Sequence, residues 1–431
     1  MTPTAPRPHL KPGSGRWHRP ALFVLAACAS AALVACGGGG GGTASVGTGG
    51  TGSFAVGSIN GLGSIYVNGV RFNTANAQIS NANSPAQTVP DLGMTVEVRG
   101  QILPGGTSTA ATVVIASEFK GPITSVDVAN NRLVIFGRTV QITPATIFFD
   151  RANLSQLAAG NVVEIYGLPQ PDGTLRATRI EFEAVNVTEF QAQPGNESFH
   201  VEGLLTNLAG TTPTRIFQVA GVRFREVVDH ALPANLANNT EVTVAFAPTT
   251  DAQPFDAVTV RVESRSFADG VRHAEIEGLI SDPRVTTDGA TTFRLNGFEV
   301  RVPASGVTFE FDGPTQPALA VNVRVEVYGH IDNGVLVATK VEFEDEDTDR
   351  DAFEFAGVAT CASAACTPVS GSFTLTLAGG RTLTIGYDAD TEFDRGLTFA
   401  NLHNQRVEID AEAPNGGGGD SFFATWIGLD D

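Results

Sequence analysis

The sequence predicts an all-β protein: about five tandem, small, closed β-barrels of OB-like form, behind a signal peptide and a Gly-rich tether. β-Sandwich repeats are the alternative. Three observations carry this reading. Three motifs recur in one order along the chain: a glycine-led opener, a glycine-centred hairpin and a closing pair of strands. The openers stand 64, 82, 75 and 79 residues apart, too long for a solenoid turn and enough for a small domain. Helical periodicity is almost absent, whereas period-two alternation is frequent.

The N-terminus comes first. Arg7, Lys11, Arg16 and Arg19 precede a 15-residue apolar run, Ala21 to Ala35. That run is shorter than the roughly 20 residues a spanning helix needs, and a basic stretch before it marks a secretory signal. It ends Leu33-Val34-Ala35-Cys36, which resembles the bacterial lipobox. The resemblance implies cleavage before Cys36 and lipidation of its thiol. Leu25-Ala26-Ala27-Cys28 is a second match, but it would leave a much shorter apolar segment. Several acyl chains on one cysteine hold a protein on a membrane, where a single chain does not. Gly37, where inner-membrane lipoproteins carry Asp, implies the outer membrane.

Residues 1–35 are thus expected as signal and 36–52 as lipidated cysteine and tether, with a span of roughly 20–25 Å. Gly47, Gly49 and Gly52 spell GxGxxG, but no strand precedes them and no helix follows, so no dinucleotide is implied. Of the other cysteines, Cys28 leaves with the signal. Cys361 and Cys366 remain, an even pair expected to form a disulfide in an oxidising compartment.

Loss of the four signal cations takes the net charge from −19 to −23. A surface this acidic repels phosphate backbones, so nucleic acid is not an expected partner.

The five units are expected at 53–119, 120–183, 199–265, 274–343 and 353–431. Each starts with an opener: Gly57-Ser58-Ile59, Gly121-Pro122-Ile123, Gly203-Leu204-Leu205, Gly278-Leu279-Ile280 or Gly357-Val358. The hairpin follows, as in Val67-Asn68-Gly69-Val70 and Leu295-Asn296-Gly297-Phe298, because a two-residue turn needs positive φ at both centres. The closing pair opens with Val96-Glu97-Val98-Arg99-Gly100, Val163-Glu164-Ile165-Tyr166-Gly167 or Val325-Glu326-Val327-Tyr328-Gly329. Its second member is Ala-Thr led, as in Ala111-Thr112, Ala177-Thr178 and Ala338-Thr339. The third unit has Val244-Ala245-Phe246 where the others reach glycine. Segments 184–198 and 344–352 are expected as linkers that few contacts cross, leaving each unit to fold alone.

The series GSINGLGSIYVNGVRFNT, DLGMTVEVRG and ATVVIASEF resembles the bacterial family called domain of unknown function 5666, whose members occur in envelope lipoproteins. The resemblance is strongest at 54–118 and 121–183, weaker at 274–345, and degraded at 199–264 and 353–428. It implies no catalytic residue.

The residues themselves point to no catalysis. His200, His230, His273, His330 and His403 fall at unrelated repeat positions, without metal spacing, and read as surface or boundary residues. No GxSxG elbow or phosphate loop occurs. Asp345, Asp347 and Asp349 alternate as calcium ligands do, but Arg350 stands where such loops need glycine. They are a weak metal candidate within an acidic linker. Trp426 is expected in a core. No cofactor is implied. The expected function is a non-enzymatic envelope module, structural or binding, whose partners are the membrane through its anchor and an unknown envelope protein or glycan. Ligand or polysaccharide binding by the barrel faces is the alternative. An enzyme would require a pocket that one repeat has and its siblings lack.

Overall fold

A computed structural model describes residues 51–68, 70–84, 88–102, 108–170, 172–195, 198–230, 232–262, 271–311, 314–321, 323–343, 352–362, 366, 370–394, 396–413 and 419–430. Cys36, the tether as far as residue 50 and Asp345, Asp347 and Asp349 lie outside the described residues, and residues 51 and 52, expected in the tether, begin the first strand.

The described residues form five closed five-stranded barrels. Barrel 2 shows the plan. Its opening strand Phe119–Asp127 pairs with Arg132–Ile135, which turns into Arg138–Gln141. That third strand runs parallel to the fifth, Leu175–Ala184, through Val140 and Leu175. The fifth pairs antiparallel with the fourth, Val162–Pro169, and the fourth returns to the opening strand through Val163 and Gly121. The ring order is therefore 1-2-3-5-4-1, the order of an OB barrel, and closure removes the sheet edges. Barrels 1, 3 and 5 close by the same pairings, from opening strands Thr51–Leu62, Phe199–Ala209 and Ala352–Thr360. In barrel 4 the opening strand Val271–Leu279 resumes as Ser281–Val285 before it meets the second strand. A sandwich of two separate sheets is excluded by these ring closures.

Each recurring motif has a physical role. The hairpin centres sit at positive φ: Phe136 and Gly137 at 50° and 82°, Asn296 and Gly297 at 48° and 80°. The turn then folds over the opener. A β-carbon on Gly278 would stand 2.8 Å from Asn296 Oδ1, and Asn296 Nδ2 donates to the Glu277 carbonyl at 2.7 Å. Asn68 does the same to the Val56 carbonyl across Gly57.

The Ala-Thr motif is a β-bulge. In barrel 2 Gly167 faces Ala177 and Tyr166 faces Arg179, so Thr178 is the extra residue. Ala111, Val258, Thr339 and Thr425 are extra in the same way. The first motif therefore begins at the buried Ala110, one residue before the sequence reading placed it. The bulge also corrects the reading of Trp426. The shifted alternation turns Ala424 and Ile427 inward and leaves Trp426 half-buried outside the core.

The barrels are not linked loosely. The opening strand of barrel 1 pairs in parallel with that of barrel 4, Phe54 facing Ala274 and Val56 facing Ile276. Its far end pairs with barrel 5, Gly61 with Glu354 and Leu62 with Phe355. The opening strands of barrels 2 and 3 pair through Lys120 and His200. The apolar cores follow suit: barrels 1 and 5 share one continuous core, and barrels 2 and 3 share another. The expectation that few contacts cross between repeats therefore does not hold. Pairing through the first strand had no signature in the repeat pattern.

Segment 184–198 does more than link. Asn186 caps a short helix, Val187–Ala192: its side chain accepts from Glu189 N at 2.9 Å, and Glu189 accepts from Val185 N at 3.1 Å. This reciprocal capping fixes the helix start. It delivers the fully buried Phe190 to within 5.2 Å of the Phe199 ring. Burying one such side chain stabilises by about 1.5–3 kcal/mol.

Candidate functional site

Two clusters of polar residues lie at seams between barrels. The first is a cross-strand row. His200 pairs with Lys120, Lys120 with Glu164, and Glu164 with Glu181. Strand alternation aims Val163 and Ile165 into the core of barrel 2 and Glu164 outward. The neighbouring segments then cover Glu164, which keeps 5% exposure.

Lys120 Nζ lies 2.5 Å from Glu164 and 3.4 Å from Glu183. Ser117 Oγ donates to Glu164 Oε1 at 2.6 Å and lies 2.8 Å from His200 Nε2. Asn83, from barrel 1, reaches His200 Nε2 at 3.1 Å and is itself held by Arg261. Burial pushes the His200 imidazole down to about 4, so it is neutral near pH 7. Burial opposes the charge on Glu164, but the Lys120 ammonium and the hydrogen bond from Ser117 outweigh it and hold this carboxyl below its ordinary value. Glu183 is pushed up to about 7 by burial, with Lys120 offsetting part of the rise.

This cluster is built for structure. The carboxyl oxygens of Glu164, Glu181 and Glu183 lie within 4.8 Å of one another, a spacing that could hold a cation. The ammonium of Lys120 already stands between two of them. Ser117, His200 and Glu164 include the residue types of a hydrolytic triad, but the carboxylate bonds the serine rather than orienting the histidine. Ser117 is 1% exposed. His200 is thus a buried seam residue rather than the surface or boundary histidine expected. The sequence offered no signal for it, because its partners Lys120, Ser117 and Asn83 are 80 to 117 positions away.

The second cluster borders an open cleft of about 460 Å³ where barrels 1, 2 and 5 meet. Barrel 1 contributes Asp91 and Leu92, barrel 2 Phe149, Asp150, Arg151 and Arg179, and barrel 5 Arg381 and Asp420. Gly93 brings barrels 1 and 2 close: its β-carbon would sit 2.3 Å from the Thr178 carbonyl, and Thr178 Oγ1 donates to the Gly93 carbonyl at 2.5 Å. Arg179, 3% exposed, donates to Glu181 at 2.5 Å, to the Leu92 carbonyl at 3.0 Å and to Asp91 at 3.3 Å. Its guanidinium carbon stands 4.8 Å from the centre of the Phe149 ring. Arg381 bridges Asp91 and Asp420, the latter at 2.6 Å. Of these residues Asp91, Arg179 and Arg381 lie in the sequence motifs, where they read as turn and strand positions.

The expected site residues fall elsewhere. Cys361 and Cys366 are bonded, with α-carbons 5.2 Å apart, and both are buried in the core shared by barrels 1 and 5. Cys361 N donates to His403 Nδ1 at 3.1 Å. His230, His273 and His330 are exposed and lie apart from both seams.

No curated protein matches the chain. Among solved structures it is similar to drosophila Unr CSD456, at 13% identity, over 53% of this chain and 96% of that one, with a TM-score of 0.14. The family model for a Domain of unknown function (DUF5666) matches residues 55–114, 120–181 and 277–342. These ranges fall within barrels 1, 2 and 4. Barrels 1, 2 and 4 therefore match this domain of unknown function as tandem repeats.

Proposed function

We propose that this protein is a non-enzymatic lipoprotein of the cell envelope, anchored through Cys36 in the outer membrane, and that its barrels together form a binding module. The observation that carries this reading is the cleft between barrels 1, 2 and 5. No single barrel could build it, so repetition makes a site as well as a spacer. A Gly-rich tether would give such a module reach from its anchor, and a disulfide between Cys361 and Cys366 suits an oxidising compartment. Radiolabelled palmitate tests the anchor: the wild type takes up label and fractionates with outer membranes, and Cys36→Ser does neither. Label kept in Cys36→Ser and lost in Cys28→Ser would move the anchor to Cys28. Absence of label from the wild type would overturn the reading.

A further inference from the structure

We infer that the cleft between barrels 1, 2 and 5 binds an uncharged oligosaccharide, an assignment that rests on the envelope-binding reading above and gives it a ligand class. Charge comes first. The cleft is lined by three carboxylates, Asp91, Asp150 and Asp420, and three guanidiniums, Arg151, Arg179 and Arg381. It is formally neutral in a chain of net charge −19. An anionic ligand would meet the carboxylates and a cationic one the guanidiniums, so neither sign is favoured.

A sugar ring suits both surfaces of the cleft. Neighbouring hydroxyls donate and accept together, and planar carboxylates and guanidiniums set side by side answer both roles. The C–H face of the ring needs an apolar platform, and Phe149 supplies one at 46% exposure. Arg179 stacks on that ring and fixes it. The polar groups are held before any ligand arrives, Arg179 by Asp91 and Glu181 and Arg381 by Asp91 and Asp420. Little side-chain ordering would then oppose binding. The volume of about 460 Å³ lies in the range of small-molecule sites. The cleft borders the segment between the third and fourth strands of barrel 2 and, at Arg381, the turn between the second and third strands of barrel 5.

An array of neutral oligosaccharides, printed beside uronate- and sialate-bearing ones and probed with the full chain in detergent, tests the inference. Neutral glycans are expected to bind, and Phe149→Ala and Arg381→Ala should each weaken binding by about tenfold. Phe423→Ala, at an exposed ring that does not line the cleft, should leave it unchanged. Matching thermal melts will show that the variants fold. No binding to neutral glycans, preference for the acidic ones, or full binding by a folded Phe149→Ala chain would overturn it. Palmitate labelling is independent: label with no glycan bound sinks only this inference, and glycan bound without label sinks only the anchor.

Discussion

Gly329 lies against the Val337 carbonyl so closely that a β-carbon would stand 2.0 Å from that oxygen. The approach accompanies the bulge at Thr339, and it recurs at Gly100 against Thr109 and Gly167 against Arg176. Barrels 3 and 5 carry Phe246 and Ala411 at this point of the ring. The glycine thus marks barrels 1, 2 and 4, the same three that match the family. Gly329→Ala should destabilise the protein by about 2–4 kcal/mol, measured by urea unfolding. A cost below about 0.5 kcal/mol would show that the bulge can shift.

Glu183 should make stability fall as pH rises. Its folded carboxyl titrates near 7, above its ordinary 4.5, so between those values the native state holds a proton that the unfolded state has lost. Its favourable contribution is complete below about pH 4.5 and gone above about pH 7. Glu183→Gln should therefore gain stability relative to wild type across that window, read as a difference between two urea midpoint profiles. A difference that stays flat with pH would refute the burial account.

Glu226 works in the opposite sense. Arg215 donates to both its carboxyl oxygens, at 2.8 and 2.9 Å, and holds the group at about 2. Its contribution is present above about pH 4.5 and lost as pH falls towards 2. Glu226→Gln should cost stability at pH 7 and cost progressively less in acid. An equal cost at pH 7 and pH 2.5 would contradict the ion pair's role.

The Phe190 ring should anchor the connection between barrels 2 and 3. Phe190→Ala removes a fully buried side chain and should cost about 3–5 kcal/mol by chemical denaturation. A cost under about 1 kcal/mol would restore the loose-linker reading of this segment.

Much of the fold was legible because it is local. The Asn68 and Asn296 turns, the Gly57 and Gly278 openers and the Val325–Val327 alternation each act within one repeat, and each repeat spells them again. The seams were not legible. His200 meets Lys120, and Gly61 meets Glu354, through pairing of strands far apart in sequence, for which alternation carries no signal. The same holds for the cleft: Asp91, Phe149 and Arg381 come from three barrels and share no spacing. Trp426 was misread because a one-residue bulge reverses which face a side chain takes.

Opening strands splice barrels 1, 4 and 5 into one group and barrels 2 and 3 into another, and the shared cleft, where the two groups meet at Gly93 and Thr178, depends on each group holding together. Hydrogen exchange with mass spectrometry, at rising denaturant below the main transition, tests it most directly. Peptides from the opening strands of barrels 1 and 5 should lose protection at the same denaturant concentration, and those of barrels 2 and 3 likewise, because each pair shares strand pairing and a core. Full exchange in barrel 5 while barrel 1 stays protected would show five separate domains and leave the cleft without a fixed geometry.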